Sequence, residues 1–105
     1  MIRVSVLYPN NPDGTFDHEY YAQNHIPLAR EKLAPFGLVR VGIDRGISGG
    51  AANLAAPFVA TGYLIFDSME SCQAGLAAAG AELVADVPNY TNIKPQFQIS
   101  EMVEI

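Results

Sequence analysis

Apolar residues along the chain follow two rhythms. IRVSVLY (Ile2 to Tyr8) sets Ile2, Val4, Val6 and Tyr8 against Arg3 and Ser5, a period of two that predicts a strand. PNNPDG (Pro9 to Gly14) is turn chemistry. Near Asp17, whose carboxylate can cap a first turn, the pattern changes to helical. That helix is expected to run to about Ala34, interrupted at Pro27, with Pro35 and Gly37 stopping it. A second strand is expected from about Leu38 to Ser48, where Val39, Val41, Ile43 and Ile47 alternate with Arg40, Gly42, Asp44 and Gly46. SGGAANLAAP (Ser48 to Pro57) has no periodicity and reads as a loop. FVATGYLIF (Phe58 to Phe66) is a third strand, apolar on both faces, and such a strand is normally covered on both sides.

The second helix opens at DSME, where Asp67 can cap and Glu70 can reach back. Met69, Cys72, Leu76, Ala79 and Leu83 recur at helical spacing and should face the sheet. Gly75 and Gly80 weaken this helix, so a break near Gly80 and a short helix from Ala81 to Asp86 are expected. VPNYTN (Val87 to Asn92) is a loop, and a fourth strand runs from about Lys94 to Val103. The order β-α-β-β-α-β predicts an α+β fold, a ferredoxin-like sandwich with a four-stranded antiparallel sheet. Two helices cover one face of such a sheet and leave the other bare. Val59, Tyr63 and Ile65 would lie opposite Phe58, Ala60, Leu64 and Phe66, so a symmetric partner is expected over the second face.

Composition narrows the function more than the fold. A chain of 105 residues suits one domain, residues 1–105, with no linker, repeat or low-complexity segment. The net charge of −5 and the scattered acids argue against nucleic acid as a partner. No run is long and apolar enough for a membrane span, and MIRVSVLYP enters strand alternation without a signal-peptide pattern. A cytoplasmic protein is the expectation. Cys72 is the only cysteine and sits in an apolar helical pattern, which reads as a core residue.

The candidate chemistry gathers in YYAQNHIPLA (Tyr20 to Ala29). Pro27 removes the amide that would bond the Gln23 carbonyl and disfavours helical angles at Ile26, so the helix should kink or restart there. Tyr21, His25 and Leu28 share one helical face, and Tyr20, Asn24 and Pro27 the adjoining one. An imidazole, with a reference pKa of about 6.5, can take up and return a proton at neutral pH. A phenol can donate to a developing oxyanion. A plainer reading keeps His25 as a packing residue that satisfies backbone groups freed by Pro27. NYTN (Asn89 to Asn92) is either a polar turn or a place where Asn89 and Tyr90 rim a pocket. His18 and His25 lack metal-ligand spacing, RGISGG lacks a dinucleotide-binding context and no serine sits in a nucleophile elbow. Neither a metal nor a cofactor is expected.

HEYYAQNHIPLA (His18 to Ala29) resembles the YYxxxHxPL segment of the EthD family, named for a protein of ethyl tert-butyl ether degradation. FDSMES, AELVADVPNYTN and KPQFQISEMVEI extend the resemblance over nearly the whole chain. It implies a dimeric α+β barrel, in which two ferredoxin-like protomers press their sheets together. His25 matches the family histidine, and Tyr20, Tyr21, Pro27 and Leu28 match its neighbours. Relatives in the wider superfamily include isomerases and cyclases that use His and Tyr, cofactor-free monooxygenases and haem-degrading enzymes; some EthD-like proteins are labelled reductases. Haem degraders and several monooxygenases of this fold rely on tryptophan, which this chain lacks, and no nicotinamide or flavin motif supports a reductase.

Together these readings lead to an expected cofactor-independent enzyme acting on a small apolar molecule between the sheet and helix one. His25 would be its acid/base and Tyr21 its second catalytic group, with Tyr20, Asn24, Pro27, Leu28, Asn89 and Tyr90 lining the ligand site. The alternative is a non-catalytic carrier of a hydrophobic molecule, in which His25 only pins the kink.

Overall fold

The structure is a computed structural model that describes all residues 1–105. Strands β1 (Ile2–Pro9), β2 (Leu38–Arg45), β3 (Phe58–Phe66) and β4 (Gln96–Glu101) form one antiparallel sheet in the order β2-β3-β1-β4. Its helices are α1 (His18–Tyr20) continuing through a π-helical turn (Tyr21–His25) into α2 (Ile26–Leu33), and then α3 (Met69–Asp86). This is the α+β, ferredoxin-like arrangement that the element order predicts. No helix is long and apolar enough to cross a membrane.

Register settles which face of β3 meets the helices. Val4 pairs with Leu64, Val6 with Gly62 and Tyr8 with Ala60, and these residues pack under α2 and α3. The core holds Leu33, Phe66 and Cys72, each with essentially no exposed surface. Cys72 is therefore a packing residue, as its spacing implied. Arg3, Ser5, Tyr63 and Ile65 point to the opposite face, which no helix covers.

Several boundaries differ from the sequence reading. β2 ends at Arg45 rather than Ser48. β4 spans Gln96–Glu101 rather than Lys94 to Val103, because Pro95 lacks an amide donor and restrains Lys94 before it. Ser68, not Asp67, caps α3: its extended backbone lets the hydroxyl accept from the Ser71 amide at 3.1 Å. Asp67 still donates its own amide to the Gly37 carbonyl at 3.2 Å. Gly37 has φ 78°, and a Cβ there would press on the Asp67 carboxylate. α3 does not break at Gly80; burial of Cys72, Gly75, Ala79 and Leu83 along one face outweighs a glycine penalty of about 1 kcal/mol. Met69 is 38% exposed and does not join that face.

Candidate functional site

The helix restarts at Pro27 as expected, but Ile26 is not driven from helical angles. Ile26 keeps helical angles (φ −66°, ψ −44°), and its amide donates to the Tyr21 carbonyl five residues back. The wider turn accommodates the ring of Pro27, which sits in the first turn of α2. Tyr21 and His25 thereby lie one above the other on the buried side, their rings stacked at 5.6 Å and 22°. Asp17 starts this helix as the sequence suggested, its carboxylate accepting from the Tyr20 amide at 3.0 Å.

Beneath this turn is a cavity of about 200 Å³ between α3, the π-helical turn and strands β1 and β4. Fifteen of its eighteen lining residues are hydrophobic and none is Lys, Arg, Asp or Glu, so it suits a neutral, apolar molecule. Its polar lining residues on the helix side of the sheet are His25, Tyr8 and Tyr21. The cavity opens along β4, where Phe97 and Ile99 face it while remaining 59% and 45% exposed.

His25 is not isolated. Its Nδ1 lies 2.8 Å from Oδ2 of Asp86, in the last turn of α3. The other carboxylate oxygen of Asp86 accepts from the Tyr20 hydroxyl at 2.8 Å and from the Asn89 amide at 2.9 Å. Burial would raise the Asp86 pKa, but hydrogen bonds from Asn89, His25 and Tyr20 together hold it below the ordinary carboxylate value. An ionised carboxylate only accepts, so Nδ1 carries the hydrogen and Nε2 is left as the acceptor. Nε2 makes no hydrogen bond within the chain, and no buried side-chain polar atom lacks a partner, so Nε2 is open to solvent or ligand. Asp86 was missed in the sequence reading. A carboxylate in the last turn of a helix opposes the helix dipole, and α3 has no basic residue there to compensate; that pattern is the available signal.

The other expected residues divide. Tyr21 lines the cavity. Tyr20 lies one layer out and is hydrogen-bonded to Asp86. Asn24 and Pro27 are on the exposed outer side and Leu28 is half-buried; none of the three reaches the cavity. Asn89 holds Asp86 and Tyr90 is buried behind Tyr8, so neither touches the cavity. Much of NYTN is a clasp. Asn92 accepts from the Thr15 amide at 2.8 Å and donates to the Asp13 carbonyl at 3.1 Å, while the Thr91 hydroxyl donates to the Thr15 carbonyl at 2.6 Å. Among His, Cys, Asp and Glu, no three side chains are grouped to hold a metal ion.

The EthD domain profile matches residues 13–94, the span that carries His25, Asp86 and the NYTN clasp. The chain belongs to the EthD family. An EthD-like protein from Ralstonia eutropha JMP134 is 37% identical, with a TM-score of 0.90 over 98% of this chain and 92% of that one. An EthD family protein from Bacillus halodurans C-125 is 23% identical, with a TM-score of 0.75 over 98% and 99% of the two chains. A dimeric ferredoxin-like protein from an uncultured marine organism shares the fold at 14% identity, with a TM-score of 0.57 over 100% and 97%. No curated protein matches the sequence.

Proposed function

We propose that this EthD family protein is a cofactor-independent enzyme that moves a proton on a small, neutral, largely apolar molecule, in an isomerisation or cyclisation. The observation that carries this reading is the 2.8 Å His25–Asp86 pair on the wall of an apolar cavity. A carrier of hydrophobic molecules needs the cavity but has no use for an imidazole whose tautomer is held by an ionised carboxylate. In the enzyme, Nε2 of His25 removes a proton from carbon next to a carbonyl, Asp86 stabilises the imidazolium that forms, and the proton returns at a second position. Tyr21, on the adjoining wall, donates a hydrogen bond to the substrate oxygen.

Deuterium exchange tests this without knowledge of the natural substrate. The protein in D₂O is expected to speed exchange next to the carbonyl in a panel of small cyclic ketones, 2-tetralone among them, followed by NMR. His25→Gln should lower that rate by about 10²-fold or more, the usual scale for a positioned acid/base group. Binding of the panel with no catalysed exchange would favour the carrier.

A homodimer through the bare sheet face is also part of the proposal. Ser5 and Tyr63 lie on this face with no covering helix, and a solved protein of the same fold is described as dimeric. Ser5 sits centrally there, opposite Tyr63 on one side and Gln98 on the other. Light scattering should give twice the 11.3 kDa protomer mass, and Ser5→Glu should return it to the protomer value.

A further inference from the structure

Tyr8 and Tyr90 have no part in the proton transfer at His25, yet they are among the most buried polar side chains in the protein. Tyr8 is 1% exposed and Tyr90 3%, and their hydroxyls meet at 2.6 Å. The Tyr21 ring packs edge-on against Tyr8 at 5.6 Å and lies 5.0 Å from that of Tyr90. The Tyr21 hydroxyl rests over Gly62 of β3, in a space that any Cβ at that position would fill. Tyr8, Tyr21 and Gly62 all line the cavity, whereas Tyr90 stands behind them.

We propose that Tyr90, Tyr8 and Tyr21 form a chain of phenols whose cavity end is an oxyanion site for a neutral carbonyl substrate. The proposal rests on the acid/base reading of His25 and names the substrate class it serves. A phenol donates one hydrogen and can also accept. When Tyr21 turns its hydrogen to the substrate oxygen, its lone pairs are free to accept from Tyr8, whose ring packs against it, and Tyr8 in turn can accept from Tyr90 at 2.6 Å. Each bond polarises the next, so the terminal donor is stronger than a lone phenol. Burial is the main cause raising the pKa of all three phenols above the ordinary value, so they stay protonated and serve as donors, leaving base chemistry to His25.

The reaction balances without any further reagent. As Nε2 of His25 takes the α-proton, the C–H electron pair becomes the enolate double bond. The carbonyl π pair moves to oxygen, where Tyr21 donates its hydrogen bond. Return of the proton from His25 to another carbon completes an isomerisation. The cavity wall carries no cation, so a substrate bearing a permanent carboxylate or phosphate would have no counter-charge. Negative charge is matched only as it develops, on a ketone, lactone or enone. Tyr21 is thus a catalytic residue, with Tyr8 and Tyr90 as positioning residues.

The test uses 4-nitrophenol, whose neutral and ionised forms absorb at different wavelengths, and 4-nitrotoluene as its non-ionising isostere. The wild-type protein should bind both and hold 4-nitrophenol mainly as the phenolate below the pH at which the free compound ionises. Tyr90→Phe, which leaves the cavity wall intact, should lower the bound phenolate-to-phenol ratio by about 3- to 10-fold, with 4-nitrotoluene affinity unchanged. If that variant does not fold, wild-type protein made with 3-fluorotyrosine, a more acidic phenol, should raise the same ratio. Binding of 4-nitrophenol only in its neutral form, or a ratio indifferent to these changes, overturns the phenol chain while the cavity stands. Failure of 4-nitrotoluene to bind would instead remove the cavity reading beneath both proposals.

Discussion

His25 and Asp86 are 61 positions apart, and their meeting leaves Nε2 as the free acceptor of the imidazole. The carboxylate takes the Nδ1 hydrogen, and the amide of Asn89 and the hydroxyl of Tyr20 fix the carboxylate in turn. Asn in place of Asp86 keeps the volume but can donate to Nδ1, which allows the opposite tautomer. Asp86→Asn is therefore expected to lower ketone exchange by at least about 10-fold and to weaken its dependence on pH around the imidazole range. Its stability effect has a definite sign. The folded-state pKa of Asp86 is lowered, so its contribution is present above the ordinary carboxylate pKa, about 3.9, and fades as pH falls through the folded value. The urea midpoints of wild type and Asp86→Asn should thus differ at pH 7 and converge in acid. At this scale the chain was only half legible. Tyr21 and His25 were visible because they are neighbours on one helical face. Asp86 and Tyr8 are brought in by tertiary packing, which local spacing does not encode.

At the scale of elements, two glycines do opposite things near the same cavity. Gly62 gives up its side-chain space on β3 to the Tyr21 hydroxyl. Gly62→Ala is expected to cost about 1–3 kcal/mol, the usual range for overpacking, and to abolish phenolate binding by displacing Tyr21. Gly80 on α3 also lines the cavity, but a Cβ there meets no atom within 4 Å. Gly80→Ala should therefore raise stability by about 0.5–1 kcal/mol through helix propensity, and Gly80→Leu should fill the cavity and block 4-nitrotoluene. Urea denaturation of the two alanine variants, side by side, checks both signs. Gly80 also explains one error of the sequence reading. Its glycine was read as a weakness of the helix, whereas its position leaves room in the cavity. The restart at Pro27 was legible, but the loss of helical angles expected at Ile26 does not occur. A π-helical turn keeps every residue helical while shifting the hydrogen-bond register, and no single-residue preference signals that exchange.

For the whole molecule, the strand order and both helices follow from periods of two and of 3.6, because every element buries one face against the sheet. The second core cluster is less ordinary. It joins Tyr8, Tyr21, Ile26, Ala60, Tyr90 and Ile93 from four parts of the chain, and three of its six members are phenols. Those phenols couple the fold to alkaline pH. Their folded pKa values are raised, chiefly by burial, so the folded protein keeps protons that the unfolded chain releases. Their contribution is complete below the unfolded value of about 10 and is lost as pH rises through the folded values. Each phenol then lowers the unfolding free energy by at most about 1.4 kcal/mol per pH unit, so the three together approach about 4 kcal/mol per unit. Urea unfolding between pH 9 and 11.5 should show a steep fall beginning near pH 10. Tyrosine absorbance should register the buried phenolates only as the protein unfolds. Tyr90→Phe removes one of the three protons and should reduce the slope by about a third. A slope unaffected by that change would mean that the phenols ionise in the folded state, and a donor chain that ionises in place could not hold hydrogen bonds to a substrate oxygen there.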